Sequence, residues 1–478
     1  MSYALSIFVL SSGSAFATWS SDPAVNNVVC VAVNDQYAPQ LIGDGSGGAI
    51  LSWTDYRSGF PNSHIYAQRL NASGSVQWTG NGVAVCVAAN YQSGSPLVSD
   101  GSGGAFIVWQ DYRSGTNWDI YAQRINASGV IQWISNGIGI CTAAGDQDSA
   151  QIISDGSGGV IVVWVDFRNA SNYDVYAQKL NSSGSPQWTA NGVAICAAAA
   201  DQTYPELTTD GAGGAIITWQ DLRNSGIYDI YAQHVDSGGA VQWSPNGVAI
   251  CTATNAQKNP EVISDGAGGA IIAWGDARTN NTNSDIYAQR INSSGTVQWT
   301  SNGIAICAQT RHTSYLPQVT SDGAGGAVIS WEDYRNFSDS DVYVQRINSS
   351  GFVQWTTNGV AICTAAGDQL ADESGSRQIL GDGAGGAIIT WYDRRSGSNY
   401  DIYAQRINGS GIVQWVTNGV AISTATNDQK FPQLATDAAG GAIITWQDYR
   451  SGTNYHVYAS HLGSSGVLPV VLADWHLE

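Results

Sequence analysis

The sequence predicts an all-β protein, an eight-bladed β-propeller of four-stranded antiparallel blades. Three observations carry that expectation. A unit of roughly 55 to 60 residues repeats along the whole chain, the mark of a repeat architecture. Its opening motif Asp-Gly-x-Gly-Gly stands at Asp44, Asp100, Asp155, Asp210, Asp265, Asp322, Asp382 and, with one Ala for Gly, Asp437. Within each copy, short apolar runs too brief for a helix are bounded by Gly-rich turns.

The copy from Asp100 to Trp133 shows the elements in order. Pro96 to Asp100 reads as a short first strand, and Asp-Gly-Ser-Gly-Gly supplies the positive-φ residues of a tight hairpin. Ala105 to Trp109 is a continuous apolar run, expected of a strand buried on both faces. Asp119 to Asn126 is the third strand, with Ile120, Ala122 and Arg124 on one side and Tyr121, Gln123 and Ile125 on the other. An Asn-Ala-Ser-Gly turn leads to a less regular fourth segment, Val130 to Trp133 and then Ile138 to Cys141. One such sheet has two apolar faces and covers neither. Eight packed face to face around an axis cover each other. A linear β-solenoid is the alternative, but its rungs are shorter than this repeat.

At the ends the repeat is incomplete. Residues 1–17 combine an apolar run with Ala15-Phe16-Ala17 and read as the end of a secretory signal peptide. Residues 18–466 form the propeller, and Trp19 and Cys30 hold the repeat positions of Trp78 and Cys86. The N-terminal segment is therefore expected to complete the last blade. Residues 467–478 are a linker or an alternative edge strand.

The formal net charge of −19 excludes nucleic acid as a partner, because phosphate contacts need clustered Lys and Arg. Most of the 19 cations are repeated scaffold residues. Eight are the Arg of Trp-x-Asp-x-Arg, such as Arg113 and Arg223, and six occupy the third strand, as Arg124 does. The seven Cys, from Cys30 to Cys363, fall one per repeat with Ser423 in the eighth place. None has a partner in its own blade, so they are expected to be unpaired, small and buried. No Cys-x-x-Cys zinc pair occurs and no cofactor is implied. Asn-x-Ser recurs in the turn after the third strand, at Asn126 for instance, as turn chemistry and as a glycosylation acceptor in a eukaryotic secretory pathway.

The blade pattern resembles NHL-type propellers, with Pro-x-strand-Asp-x-x-Gly-strand units before an Arg-containing third strand. The set Trp-x-Asp-x-Arg, Asp-Ile-Tyr-Ala-Gln-Arg, Gln-Trp and Asn-Gly-Val-Ala-Ile-Cys is similar to tandem repeats of large secreted bacterial surface proteins. Leu468 to Leu472 resembles the stretch opening the sorting or Ig-like modules that follow such repeats. The resemblance implies a propeller that is exported or displayed on the cell surface, without a membrane span in the mature chain. It brings no catalytic residues.

Two acidic positions flank each Trp-x-Asp-x-Arg loop. Asp111 and Asp119 around Arg113, and Asp221 and Asp229 around Arg223, are expected to clamp it with charge-assisted hydrogen bonds. The other reading, eight calcium or ligand sites, lacks the six to eight oxygens calcium needs. A non-catalytic scaffold binding glycans or a cell-surface protein is the expected function; a glycosidase-like enzyme, with two carboxylates about a glycosidic bond, is the alternative. Aromatic platforms for glycan stand at Trp118, Tyr173, Tyr228, Tyr400 and Tyr455. The repeat is broken at Thr279 to Ser284, Thr310 to Leu316 and Leu370 to Arg377, loops expected to share one rim. There Arg311, His312, Tyr315, Asp372, Glu373 and Arg377 are the candidate ligand-binding residues.

Overall fold

Blade 3 is the plainest copy. Gln147–Ser154, Val160–Asp166, Asp174–Leu180 and Val193–Cys196 form one antiparallel sheet in that order, from the axis outwards. The computed structural model describes residues 18–280, 283–308, 314–370 and 378–469, and among them eight such sheets stand in a ring. They are numbered here from their inner strands, which begin at Gln36, Gln92, Gln147, Gln202, Gln257, Ser314, Gln369 and Gln429. Among the described residues no helix is long and apolar enough to cross a membrane.

The inner strand starts earlier than its Pro suggests: in blade 1 it is Gln36–Gly43, beginning three residues before Pro39. The reason is a bulge. Ala38 has φ 48°, and the register slips between Tyr37 and Gln40 before pairing with the second strand resumes. In blades 2 and 7 the interruption divides the strand in two, as Gln92–Ser93 and Leu97–Ser99 show. The leading Gln is fully buried in seven blades and donates its amide to the loop just before it, as Gln36 Nε2 does to Asn34 O at 2.9 Å.

The apolar core lies between blades. Trp109 has no exposed surface and packs in one cluster with Ile50, Ile65 and Val85 of blade 1 and Leu97, Ile107 and Ile125 of its own blade. Burying a ring of that size is worth roughly 4–6 kcal/mol at 25 cal/mol per Å². Gly137, at φ 80°, lies against this indole with no room for a Cβ, which explains the Asn-Gly of the fourth segment. The second repeated Trp staples blades together: Trp78 Nε1 of blade 1 donates to Ala127 O of blade 2 at 3.1 Å. Buried Gln123 ties third strand to fourth segment, accepting from Trp133 N at 3.0 Å and donating to Ile134 O at 2.8 Å.

Closure uses both ends of the chain. Asn27–Cys30 is the outer strand of blade 8, pairing with His456–Leu462. Trp19 is buried and repeats the staple, donating to Ala72 O at 2.9 Å.

All seven Cys are free and buried. They are not merely apolar filler, because each of their sulfurs lies against the next blade's guanidinium; Arg113 Nη2 is 3.4 Å from Cys86 Sγ. Burial pushes the Cys86 thiol up to about 12. The native protein is thus expected to give no reaction with a thiol-specific disulfide reagent at pH 8 and seven thiols per chain after denaturation. Rapid reaction of even one native thiol would contradict this.

Candidate functional site

Each Trp-x-Asp-x-Arg motif folds into a hub. In blade 2, Asp111 accepts from Trp109 Nε1 at 2.7 Å, from the Arg113 backbone N–H at 2.9 Å, and from the guanidinium at 2.9 and 2.5 Å. The guanidinium also donates to Asn136 O at 2.7 Å and lies over the Tyr121 ring at 3.7 Å. Asp221 and Arg223 repeat the pair at 2.5 Å. The second carboxylate stands aside. Asp119 accepts from Asn117 Nδ2 at 2.9 Å and Asp229 from Asn224 Nδ2 at 2.6 Å. Burial raises both carboxyls, Asp119 to about 6. The hub joins blades, since Cys86 belongs to blade 1. It commits Nε and Nη2 of Arg113 to structure. Third-strand cations are equally committed: Arg124 bonds Asp100 Oδ2 at 2.9 Å and its Nη1 reaches Ser182 O of blade 3.

Among the described residues no group of three or more His, Cys, Asp or Glu is placed to hold a metal. Arg311, His312, Asp372, Glu373 and Arg377 lie outside the described residues. Tyr315 is the second residue of the inner strand Ser314–Ser321, opposite Glu332, and its side chain also lies outside them.

What the structure does assemble is aromatic. One face of the ring carries the loops between second and third strands and the crossovers to the next blade. There, in blades 2, 3, 7 and 8, the aromatic residue before the third strand is held by the next blade: Trp118 N donates to Asp146 Oδ1, Tyr173 N to Asp201 Oδ1, Tyr400 N to Asp428 Oδ1 and Tyr455 N to Asp35 Oδ1, all within 3.0 Å. Rings anchored this way continue into rings from neighbouring loops. Tyr449 and Tyr455 of blade 8 are 4.7 Å apart, Tyr455 and Tyr37 of blade 1 5.4 Å, and Tyr37 and Tyr56 5.8 Å. Tyr56 stacks on Phe60 at 6.1 Å, Phe60 meets Tyr91 of blade 2 at 6.4 Å, Tyr91 meets Trp118 at 6.4 Å, and Trp118 meets Tyr112 at 5.2 Å. Eight rings therefore form an unbroken track over three blades. Phe60 is 81% exposed at its centre. Tyr228 takes Lys258 above its ring, and Tyr400 takes Lys430, itself paired with Asp428 at 2.7 Å.

The track was not expected from the sequence, which pointed to Trp118 and Tyr455 but not to Tyr37, Tyr56, Phe60 or Tyr91. A signal for it exists. The residue between Asp and Arg in Trp-x-Asp-x-Arg is Tyr in four copies (Tyr56, Tyr112, Tyr334, Tyr449) and Phe167, Leu222, Ala277 or Arg394 in the others, while its neighbours repeat. In a repeat protein the repeated residues build the scaffold and the unrepeated ones are free to serve a site.

The chain is an eight-bladed β-propeller. A solved ulvan lyase, a polysaccharide lyase bound to -[GlcA(1-4)Rha3S]-, shares the fold: TM-score 0.50, 10% identity, covering 94% of this chain and 98% of that one. A Dyadobacter fermentans protein of unknown function aligns at TM-score 0.42 and 10% identity over 92% of this chain and 98% of its own. A Penicillium chrysogenum α-L-arabinanase complexed with arabinobiose aligns at 0.36 and 11%, over 67% and 94%. No protein-family model matches the chain, and neither does any curated protein.

Proposed function

We propose that the protein is a non-catalytic binding propeller, secreted or displayed at the cell surface, that holds carbohydrate on its loop face. The observation carrying this reading is the unbroken aromatic track with Phe60 81% exposed at its centre. A sugar ring offers a flat C–H face that stacks on an aromatic ring, and rigid rings lose little entropy on binding. Phe60 is exposed while the seven rings about it are half-buried, so each still offers an edge or part of a face to a ligand. Every hub Arg is paired with its Asp, and the cations stacked on rings elsewhere on this face, Lys258, Arg394 and Lys430, lie over Tyr228 and Tyr400 and not over the track, which favours a neutral glycan. The enzyme alternative draws support from fold likeness to the ulvan lyase, which is a likeness of scaffold.

The test is a glycan array probed with the wild type and with a Phe60→Ala, Trp118→Ala double variant. Wild-type protein is expected to select a neutral polysaccharide, and the variant to bind it about 30-fold more weakly with an unchanged melting temperature. Equal affinity of the two proteins counts against the track. Release of shortened sugars by the wild type would favour the enzyme.

A further inference from the structure

The central channel opens on the face that carries the track. A cavity of about 450 Å³ lies there, within the range of small-ligand sites, walled by the inner strands of blades 1 to 6. Three features set it apart from a gap left by ring closure.

First, the backbone of its wall repeats but its side chains do not. The bulge residue of the inner strand has positive φ in copy after copy, 54° at Ser149, 53° at Tyr204, 52° at Asn259 and 56° at Leu316, and these four residues line the cavity. Left-handed backbone costs a non-glycine residue on the order of 1 kcal/mol and gathers at functional sites. Here the backbone repeats while the side chain changes.

Second, polar groups are placed in it across blade boundaries. Gln151 Nε2 of blade 3 donates to Glu206 Oε1 of blade 4 at 2.9 Å, and Gln318 Nε2 of blade 6 donates to Glu261 Oε1 of blade 5 at 3.3 Å. Two carboxylates on adjacent blades are thus flanked by two amides, the mixed acceptors and donors that sugar hydroxyls pair with. Ser95, 1% exposed, also lines the cavity, and its Oγ has no hydrogen-bond partner in the structure. Among the described residues of the lining there is no Lys, Arg or His.

Third, the cavity is continuous with the track. Tyr37 lines it and also contacts Tyr56 and Tyr455.

We infer that the channel mouth is a second carbohydrate subsite that takes the end of a neutral glycan chain lying on the aromatic track. This rests on the binding function proposed above. The terminal sugar enters past Tyr37 and Tyr204, and its hydroxyls meet Glu206 and Glu261. An acidic sugar is refused, because the two carboxylates would face its charge without a cation between them.

The experiment titrates cello-, xylo-, manno- and maltohexaose, and the four corresponding disaccharides, into wild type, Tyr204→Ala, Glu261→Gln and the Phe60→Ala, Trp118→Ala double variant. Tyr204 is 58% exposed, so its variant tests the cavity without disturbing the core. One series is expected to bind as both hexaose and disaccharide, with Tyr204→Ala and Glu261→Gln each weakening both about tenfold. The double track variant is expected to weaken the hexaose and spare the disaccharide. A hexaose that binds while its disaccharide does not, or disaccharide affinity untouched by both cavity variants, overturns the subsite and leaves the track reading standing. Binding of none of the eight sugars overturns both.

Discussion

Asp111→Asn is expected to lower the unfolding free energy by about 3–5 kcal/mol, the cost of breaking a buried pair by removing one partner. Asp111 is fully buried and receives four hydrogen bonds from nitrogen, from Trp109 Nε1, the Arg113 backbone and the guanidinium, and a fifth from Cys86 Sγ at 3.8 Å. An amide keeps the shape but turns one acceptor into a donor, so a buried N–H or the guanidinium loses its partner. Because Arg113 also holds Cys86 of the preceding blade, the damage spreads across the interface. Urea unfolding of wild type and variant measures it, with Asp221→Asn expected to match because blade 4 has the same hub. A loss below about 1 kcal/mol would show that the hub is dispensable.

Raising the pH from 5 to 8 is expected to lower the melting temperature by several degrees. Burial lifts Asp119 and Asp401 to about 6 and Asp341 to about 7, the last helped by the charges of Asp339 and Asp333. Such a group binds its proton more tightly folded than unfolded. Its contribution is greatest below the unfolded value near 4 and is lost as pH rises through 6 to 7. Across three groups the loss is on the order of a few kcal/mol. Blades 1 and 8 show what the proton does. There His64 and His456 occupy this position, each facing the motif Asp across the ladder, and their Nδ1 lies 3.0 and 2.9 Å from the oxygens of Gln92 and Gln36. Where the position is Asp, the equivalent oxygens of Gln147, Gln369 and Gln429 have no partner, and a protonated carboxyl is a donor of the kind they lack. Asp210 and Asp437 are lowered beside His234 and His461 and act in the opposite sense only in more acidic solution, while His456, lowered by burial, opposes the trend within the interval as one group against three. Asp119→Asn, Asp341→Asn, Asp401→Asn combined should flatten the profile between pH 5 and 8. A wild-type melting temperature that rises over that interval would refute the assignment.

The blade was legible because its local signals agree: turn glycines at Gly101 and Gly103, an apolar run ending in Trp109, and alternation from Ile120 to Ile125. The start of the inner strand was not. A bulge at Ser149 interrupts the alternation, so a reader of periodicity sees a loop where the ladder continues from Gln147. Nor could spacing alone choose between Asp111 and Asp119 as partner of Arg113. Both are near, and the choice falls to a two-residue turn that brings the Asp111 carboxylate under the guanidinium. The aromatic track is invisible for a different reason. Tyr455 and Tyr37 touch only because the ring closes, and no local pattern reports a contact between the two ends of a chain.

That closure also orders events in time. The strand Asn27–Cys30 is made early and has no sheet to join until His456–Leu462 exists, and Arg450 reaches Val25 O across 425 residues. At ribosomal speeds of 5–20 residues per second, that is a wait of roughly 20 to 90 s. Through it the Trp19 segment is a loose strand looking for an edge, while the edge of blade 1 that blade 8 will cover stands bare. A neighbouring copy at the same stage offers the same edge, so exchange of this strand between two nascent chains is the hazard built into the ring.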